Sequence, residues 1–302
     1  MWSQSSYKKK ANDEKQDSMT EQGTLFLVPT PIGNLEDITY RALEILKNVD
    51  YIAAEDTRHT KKLLHYFEIS KPMISYHEHN KLQSGEKILR DLENGQKVAL
   101  VTDAGMPGIS DPGADIVKEA VRQQINVVSL PGANAALTAL VASGVETDQF
   151  LFIGFLDRHK KRKIEQLELI KTEPYTLIFY EAPHRIKETV AAIHHVFGDR
   201  QVALARELSK KHEEYVRGTT TELAEYVQHH ELKGEICLIV TGADPAAIEA
   251  EKEALWWESL SVKQHVESYI EKGQSSKEAI KQVAQERNVP KRDVYQSYHV
   301  EE

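Results

Sequence analysis

Cysteine is nearly absent from this chain. Cys237 stands alone among 302 residues, so no internal disulfide can form, and its place in the apolar run Ile236 to Val240 reads as a small buried thiol. A reducing, cytoplasmic setting fits that usage. No stretch approaches the ~18 to 20 consecutive apolar residues of a membrane span. Residues 1–22 are polar, lack the apolar core of a secretory signal, and read as a disordered tail. With 15 glycines and 10 prolines the chain is neither collagen-like nor low-complexity. A positive surplus is missing too: 38 Lys and Arg against 47 Asp and Glu leave a net charge of −9. That excludes a bulk basic nucleic-acid binder and confines any polyanion contact to local cationic patches.

What is present is an alternation of short apolar runs with segments of helical period, the pattern of parallel strands covered on both faces by crossover helices. The runs are 24–29, 51–54, 73–76, 98–102, 127–130, 150–153, 177–180, 202–205 and 236–240. Nine strands exceed one comfortable sheet. The expected architecture is therefore two α/β domains with mostly parallel sheets, 23–143 and 144–245, divided where Gly144 and a polar turn follow a helix. Residues 246–302 show helical period only, with a capping-box start at Ser275 and Glu278 and an interruption at Pro290. They read as a helical appendage resembling a helix-turn-helix.

The unusual residues sit just after strands, the edge where open α/β sheets bind ligands. One such loop is Pro29-Thr30-Pro31-Ile32-Gly33-Asn34. A second, Asp103 to Gly113, holds three glycines, two prolines and two aspartates in eleven residues. Asp111 stands where it would cap a helix opening near Pro112, and Asp103 offers a carboxylate to a ribose hydroxyl or an amino group. A third, Pro131-Gly132-Ala133-Asn134, is small enough for an adenine to lie against backbone. None matches a Walker lysine loop or the three-glycine dinucleotide fingerprint. His77, Glu78 and His79 would share faces of a strand, but two histidines without further ligands make a weak metal site, and none is expected.

These loops resemble the small-subunit ribosomal RNA methyltransferase I family of the tetrapyrrole-methylase superfamily. The resemblance runs from about Leu25 to Gly242. It rests on the loops above and on Ala53 to Thr60, Ser75 to Asn80, Phe179 to Arg185, Ala205 to Lys210 with His212 and Glu213, and Lys233 to Glu235. Met106 stands where the family more often has Thr, and Asn134 where it more often has Ser. The resemblance implies a class III methyltransferase fold with S-adenosylmethionine bound between two domains. It also implies a homodimer and methyl transfer to the ribose 2′-oxygen of a cytidine in the decoding region of 16S RNA, as naked RNA or in the assembled 30S subunit. It further implies that Gly105, Met106, Pro107, Ile109, Ala133, Asn134 and Tyr180 meet the cofactor. Pro31, Asp103 and Ser110 belong to the same loops and join that set.

A protonated ribose hydroxyl is a poor nucleophile, so a base or a cation that stabilises the alkoxide is expected beside the methyl group. Glu181 or Asp56 would serve as base or orienter, and Arg185, Arg206 or Lys210 would neutralise phosphate and oxyanion charge. A structural ion network among Glu181, Arg185, Arg206 and Glu207 is the competing reading. For RNA there are two cationic clusters: Arg58, Lys61 and Lys62, and the run Arg158, Lys160, Lys161, Arg162 and Lys163. Solvated faces are the plain alternative. Two other functions stay open, methylation of a tetrapyrrole or other small acceptor, and a non-enzymatic adenosylmethionine-sensing RNA adaptor.

Overall fold

Two five-stranded sheets gather the apolar runs. The computed structural model describes residues 23–246, 248, 249 and 256–299, and the expected tail 1–22 lies outside them. The first sheet holds β1 (Thr24–Leu27), β2 (Tyr51–Ala54), β3 (Met73–Ser75), β4 (Lys97–Val101) and β5 (Asn126–Ser129). Their order is β3-β2-β4-β1-β5, and every pairing is parallel. The crossovers are α1 (Tyr40–Asn48), α2 (Thr57–Tyr66), α3 (Lys81–Glu93) and α4 (Ala114–Arg122), with α5 (Ala135–Val141) following β5.

The central strands show why these runs are apolar throughout. Val98 and Leu100 of β4 join one core cluster with Leu25, Ile88 and Ile116. Their neighbours Ala99 and Val101 join another with Val28, Leu46 and Leu64. Side chains alternate across a strand, so a sheet clothed on both faces needs apolar residues at every position. Truncating Leu100, which is 1% exposed, to alanine is expected to cost about 2–5 kcal/mol.

The second sheet holds β6 (Phe150–Phe155), β7 (Thr176–Glu181), β8 (Gln201–Arg206), β9 (Glu214–Thr219) and β10 (Ile236–Val240), in the order β6-β7-β10-β8-β9. The helices here are α6 (Lys160–Leu169), α7 (Ile186–Phe197) and α8 (Thr220–His229). Only β6 and β7 run parallel. The other pairings are antiparallel, because β10 inserts between β7 and β8 and β9 returns beside β8. The mostly parallel character expected of both sheets thus belongs to the first. Strand β9 is absent from the nine apolar runs for a physical reason. It is an edge strand reading Glu-Tyr-Val-Arg-Gly-Thr, half-buried, with no need for a continuous apolar surface.

Helix α5 precedes the expected domain division, yet it packs on β7 and β10 of the second sheet. Ala136, Ala139 and Leu140 share a core cluster with Ile178, Ala203, Cys237 and Ile239. The Tyr215 hydroxyl donates to Thr138 O, and Arg217 reaches the carbonyls of Ala142 and Ser143. Both sheets fall in one compact unit, while residues 169–174 group with the chain from Gly242 onward.

That smaller unit contains α9 (Val262–Glu271), α10 (Ser276–Glu286) and α11 (Lys291–His299) around Val266, Ile280, Val283 and Val294. Ser275 and Glu278 form the expected reciprocal capping box at the start of α10. Among the described residues no helix is long and apolar enough to cross a membrane.

Candidate functional site

A cavity of about 400 Å³ opens at the carboxyl ends of the parallel strands. Its wall takes Ile32 from beyond β1, Glu55 from beyond β2, Asp103 to Met106 and Ile109 to Asp111 from beyond β4, and Asn134 and Ala135 from beyond β5. The second sheet supplies Phe155, Tyr180 to Pro183, Leu208 and Gly234 to Cys237. This is the edge at which the loop composition pointed.

Local hydrogen bonds hold the first-sheet loops in place. The Thr30 hydroxyl donates to Thr102 O at 3.1 Å. Gly105 adopts φ +80°, a left-handed turn that a residue with a Cβ enters only with strain. Ser110 sits at φ +65° on the cavity wall, one of six non-glycine residues in that region among those described. Asn134 caps α5 by accepting from Leu137 N at 3.0 Å, and Ala136 N donates to the Tyr180 hydroxyl at 3.1 Å. Burial pushes the Tyr180 phenol up to about 12, so it remains a neutral group there.

The wall is acidic. Glu55 Oε2 accepts from the Thr102 hydroxyl at 2.7 Å, and Asp103 Oδ1 accepts from Asp56 N at 3.2 Å. Burial first, and then Glu55, raise Asp103 above the usual carboxylate range. The same two causes, with Asp103 and Glu235 adding to them, lift Asp111 to about 6 even though the nearby Thr102 side chain opposes the shift. Asp111 does not cap a helix as its spacing suggested. Helix α4 begins two residues beyond the expected start, with Gly113 at its cap position and no side-chain cap, and Asp111 faces the cavity instead.

The cofactor set from the sequence divides in two. Asp103, Gly105, Met106, Ile109, Ser110, Asn134 and Tyr180 all line the cavity. Pro31, Pro107 and Ala133 lie in the same loops without reaching its wall, and Ala133 packs beside Ile32 and Ala136. Glu55, Asp111, Glu235 and Cys237 are wall residues outside that set. A carboxylate just after a strand was the available signal for Glu55, which follows β2 as Asp103 follows β4. Nothing local marks Glu235, which is brought in by the antiparallel return of β10.

The charged candidates are mostly paired with one another or held away from the cavity. Asp56 lies off the cavity wall: it caps α2 through Arg58 N at 2.8 Å and chelates the Arg58 guanidinium at 3.1 and 2.7 Å. Those hydrogen bonds hold its carboxyl well below the usual range, which makes it a poor base. Glu181 does reach the wall, but both its oxygens are engaged, Oε1 by Ala182 N at 2.8 Å and Arg185 Nε at 3.2 Å, and Oε2 by the Thr189 hydroxyl at 2.5 Å. Arg206 pairs with Glu214 at 2.5 Å, and Lys210 pairs with Glu207 at 2.9 Å and Glu235 at 3.1 Å. None of Arg185, Arg206 and Lys210 lines the cavity. Pairing rather than open display describes these three cations, and the competing network reading accounts for Glu181 with Arg185.

Of the two cationic clusters, Arg58, Lys61, Lys62, Arg158, Lys160, Lys161 and Arg162 are exposed. Lys163 is the exception. Its side chain is fully buried, so it cannot meet RNA phosphate as the run of basic residues suggested. His77 and His79 fall after β3 in a turn, with rings 6.0 Å apart, instead of on one strand face.

Comparison with known proteins follows the same outline. The sequence profile described as Tetrapyrrole (Corrin/Porphyrin) Methylases matches residues 24–224. A Bacillus subtilis (strain 168) protein named Ribosomal RNA small subunit methyltransferase I is 55% identical over 283 residues, 94% of this chain and 96% of that protein. A protein of the same name from Halalkalibacterium halodurans is 54% identical over 281 residues, 93% of this chain and 96% of its own length. Among solved structures, uroporphyrin-III C-methyl transferase from Thermus thermophilus complexed with S-adenyl homocysteine superimposes with a TM-score of 0.53 at 17% identity. The match covers 73% of this chain and 97% of that one, a likeness of fold.

Proposed function

Because the chain belongs to the ribosomal RNA small subunit methyltransferase I family, within the tetrapyrrole methylases, it is an S-adenosylmethionine-dependent methyltransferase, and we propose that its acceptor is the 2′-oxygen of a cytidine in the decoding region of small-subunit ribosomal RNA. The observation that carries this reading is a separation of charge. Carboxylates line the cavity, while Arg158, Lys160, Lys161 and Arg162 stand exposed on the segment that follows Phe155 of the cavity wall. An acidic cavity suits a cationic donor, and an exposed cationic segment suits a polyanionic acceptor.

The cavity also fits the donor in size, within the ~300–1,000 Å³ of ligand sites. Glu55, Asp103 and Asp111 supply negative charge for a molecule bearing a sulfonium and an ammonium. When bound, that donor provides a methyl carbon on a good leaving group, open to in-line displacement. The protein then has chiefly to align the acceptor, which can supply on the order of 7–11 kcal/mol of the barrier. Gly105, Met106, Asn134 and Tyr180 are the groups we assign to holding the donor. Among the wall carboxylates, Asp111 has a proton affinity close to neutrality, which suits it to take the hydroxyl proton. Glu181 we assign to orienting the wall, its oxygens already committed. Arg58, Lys61 and Lys62 with the 158–162 run would position the RNA backbone.

A homodimer belongs to the same reading. Leu137 and Val141 of α5 and Phe150 and Phe152 of β6 are large apolar side chains left in water, the kind of surface that self-association covers. A ribosomal substrate places the reaction in the cytoplasm.

The test is transfer from methyl-tritiated S-adenosylmethionine to purified small ribosomal subunits and to naked 16S RNA, followed by mapping of the modified nucleotide. Label on the ribose of a decoding-region cytidine is the expected result. Label on a base, or transfer to a porphyrinoid in preference to RNA, rejects the proposal.

A further inference from the structure

Four of the five cations between Arg158 and Lys163 face water, and the fifth turns inward. Lys163 Nζ, fully buried, donates to Glu188 Oε1 and to Thr189 Oγ1, each at 3.0 Å. The Thr189 hydroxyl in turn donates to Glu181 Oε2. A hydroxyl has one proton and two lone pairs, so Thr189 accepts from the ammonium and passes its own hydrogen to the carboxylate. Thr189 is 1% exposed and Glu181 2%. Such a chain excludes water, and each bond is stronger for its low-dielectric surroundings.

The other oxygen of Glu181 leads back to the same segment. Arg185 Nε lies 3.2 Å from Oε1, and Arg185 Nη2 donates to Leu156 O at 2.6 Å and to Asp157 O at 3.3 Å. The carboxylate is therefore tied to the start of the 156–163 segment through Arg185 and to its end through Thr189 and Lys163. Glu181, Ala182 and Pro183 form part of the cavity wall, and Ala182 N is anchored on Glu181 Oε1.

We propose that Lys163 and Thr189 are positioning residues, which hold Glu181 and the wall at 181–183 in a fixed relation to the exposed cations of the 158–162 segment. This deepens the reading of an RNA methyltransferase and rests on it. If the segment binds the acceptor backbone and the wall borders the donor, this relay sets the distance between acceptor and methyl carbon. An apolar replacement of Lys163 would leave all the exposed cations in place and still loosen that relation.

The experiment compares Thr189→Val, Thr189→Ser and Lys163→Met in the full chain. Methyl transfer to small ribosomal subunits, calorimetric affinity for S-adenosylmethionine, and amide hydrogen exchange of peptides covering 177–185 are measured. For Thr189→Val and Lys163→Met, kcat is expected to fall about 10- to 100-fold, the scale of a small misplacement of reacting groups. Donor affinity should change less than threefold, and exchange should accelerate at 181–185 and not along the rest of β7. Thr189→Ser, which keeps the hydroxyl, should retain kcat within threefold and exchange as the parent does. The proposal is overturned if Thr189→Val keeps full kcat with unchanged exchange, if Thr189→Ser is as impaired as Thr189→Val, or if kcat and donor affinity fall together in proportion. Absence of transfer by the parent protein would instead reject the RNA methyltransferase reading, and the exchange comparison would still decide the relay.

Discussion

Thr30 and Gly105 each donate a backbone N–H to the other's carbonyl, at 2.9 and 3.0 Å, forming an antiparallel bridge outside the named strands. The loop after β1 is thereby latched to the loop after β4, and the second of these supplies much of the cavity wall. Gly33, three residues past Thr30, packs against Leu208 and Lys210: a Cβ built there would lie 2.4 Å from Lys210 Cγ and 2.8 Å from Leu208 O. One short loop thus touches both the first-sheet latch and the second-sheet side of the cavity.

Gly105→Ala tests that latch. A Cβ at this position meets nothing nearer than Ile32 Cγ2 at 3.5 Å, so space is adequate and the cost comes from the positive φ. About 1–2 kcal/mol of destabilisation is expected, read as a lower urea midpoint. Calorimetry should show weaker binding of S-adenosylmethionine, since the strained residue would relax by shifting the loop. Unchanged midpoint and affinity would mean that the latch bears on neither.

The acid–base behaviour of Asp111 gives a prediction with a definite sign. Its carboxyl is raised from an ordinary 3.8 to about 6, so the fold favours its protonated form. The stability this confers is full below pH 3.8 and is lost as pH climbs through about 6. Asp111→Asn should therefore stabilise the protein at pH 8 by about 1–2 kcal/mol, a figure reduced for partial solvation, and should leave it unchanged below pH 3.5 in urea titrations.

Donor binding should show the opposite face of the same group. The ionised carboxylate attracts a cation, so affinity for S-adenosylmethionine should rise between pH 5 and pH 7.5 in the parent protein and stay flat in Asp111→Asn. Parallel pH profiles for the two would remove Asp111 from the donor site.

Replacing Arg158, Lys160, Lys161 and Arg162 by glutamine should reduce the slope of log affinity for RNA against log salt by about 3, if each neutralises one phosphate. Filter binding across a salt series measures it. An unaltered slope would make the run a solvated face.

Cys237 borders the cavity, yet burial pushes its thiol up to about 12. A thiol reagent at pH 8 should label the native protein at least a hundredfold more slowly than the urea-unfolded chain. Equal rates would show that water reaches this wall.

Much of the architecture was legible because burial on both sheet faces demands continuous apolar runs, and the nine runs all became strands. Strand β9 was not, since an edge strand with half-exposed residues carries no such demand. The loops were legible because glycine and proline restrict backbone in ways that composition reveals. Roles within them were less so: Asp111 has the spacing of a helix cap and serves the cavity, while Asn134, read as a donor contact, also caps α5.

The sequence by itself determined the two-sheet α/β plan, the glycine- and proline-rich rims and the family, because each rests on residue types and their spacing along the chain. Tertiary structure alone decided which charges meet. It buried Lys163 within a run of exposed cations, paired Lys210 with Glu235, and brought Glu55, Asp111 and Glu235 to one wall. Charge acts through distance and solvation, and both are fixed only when the strands, turns and helices have packed.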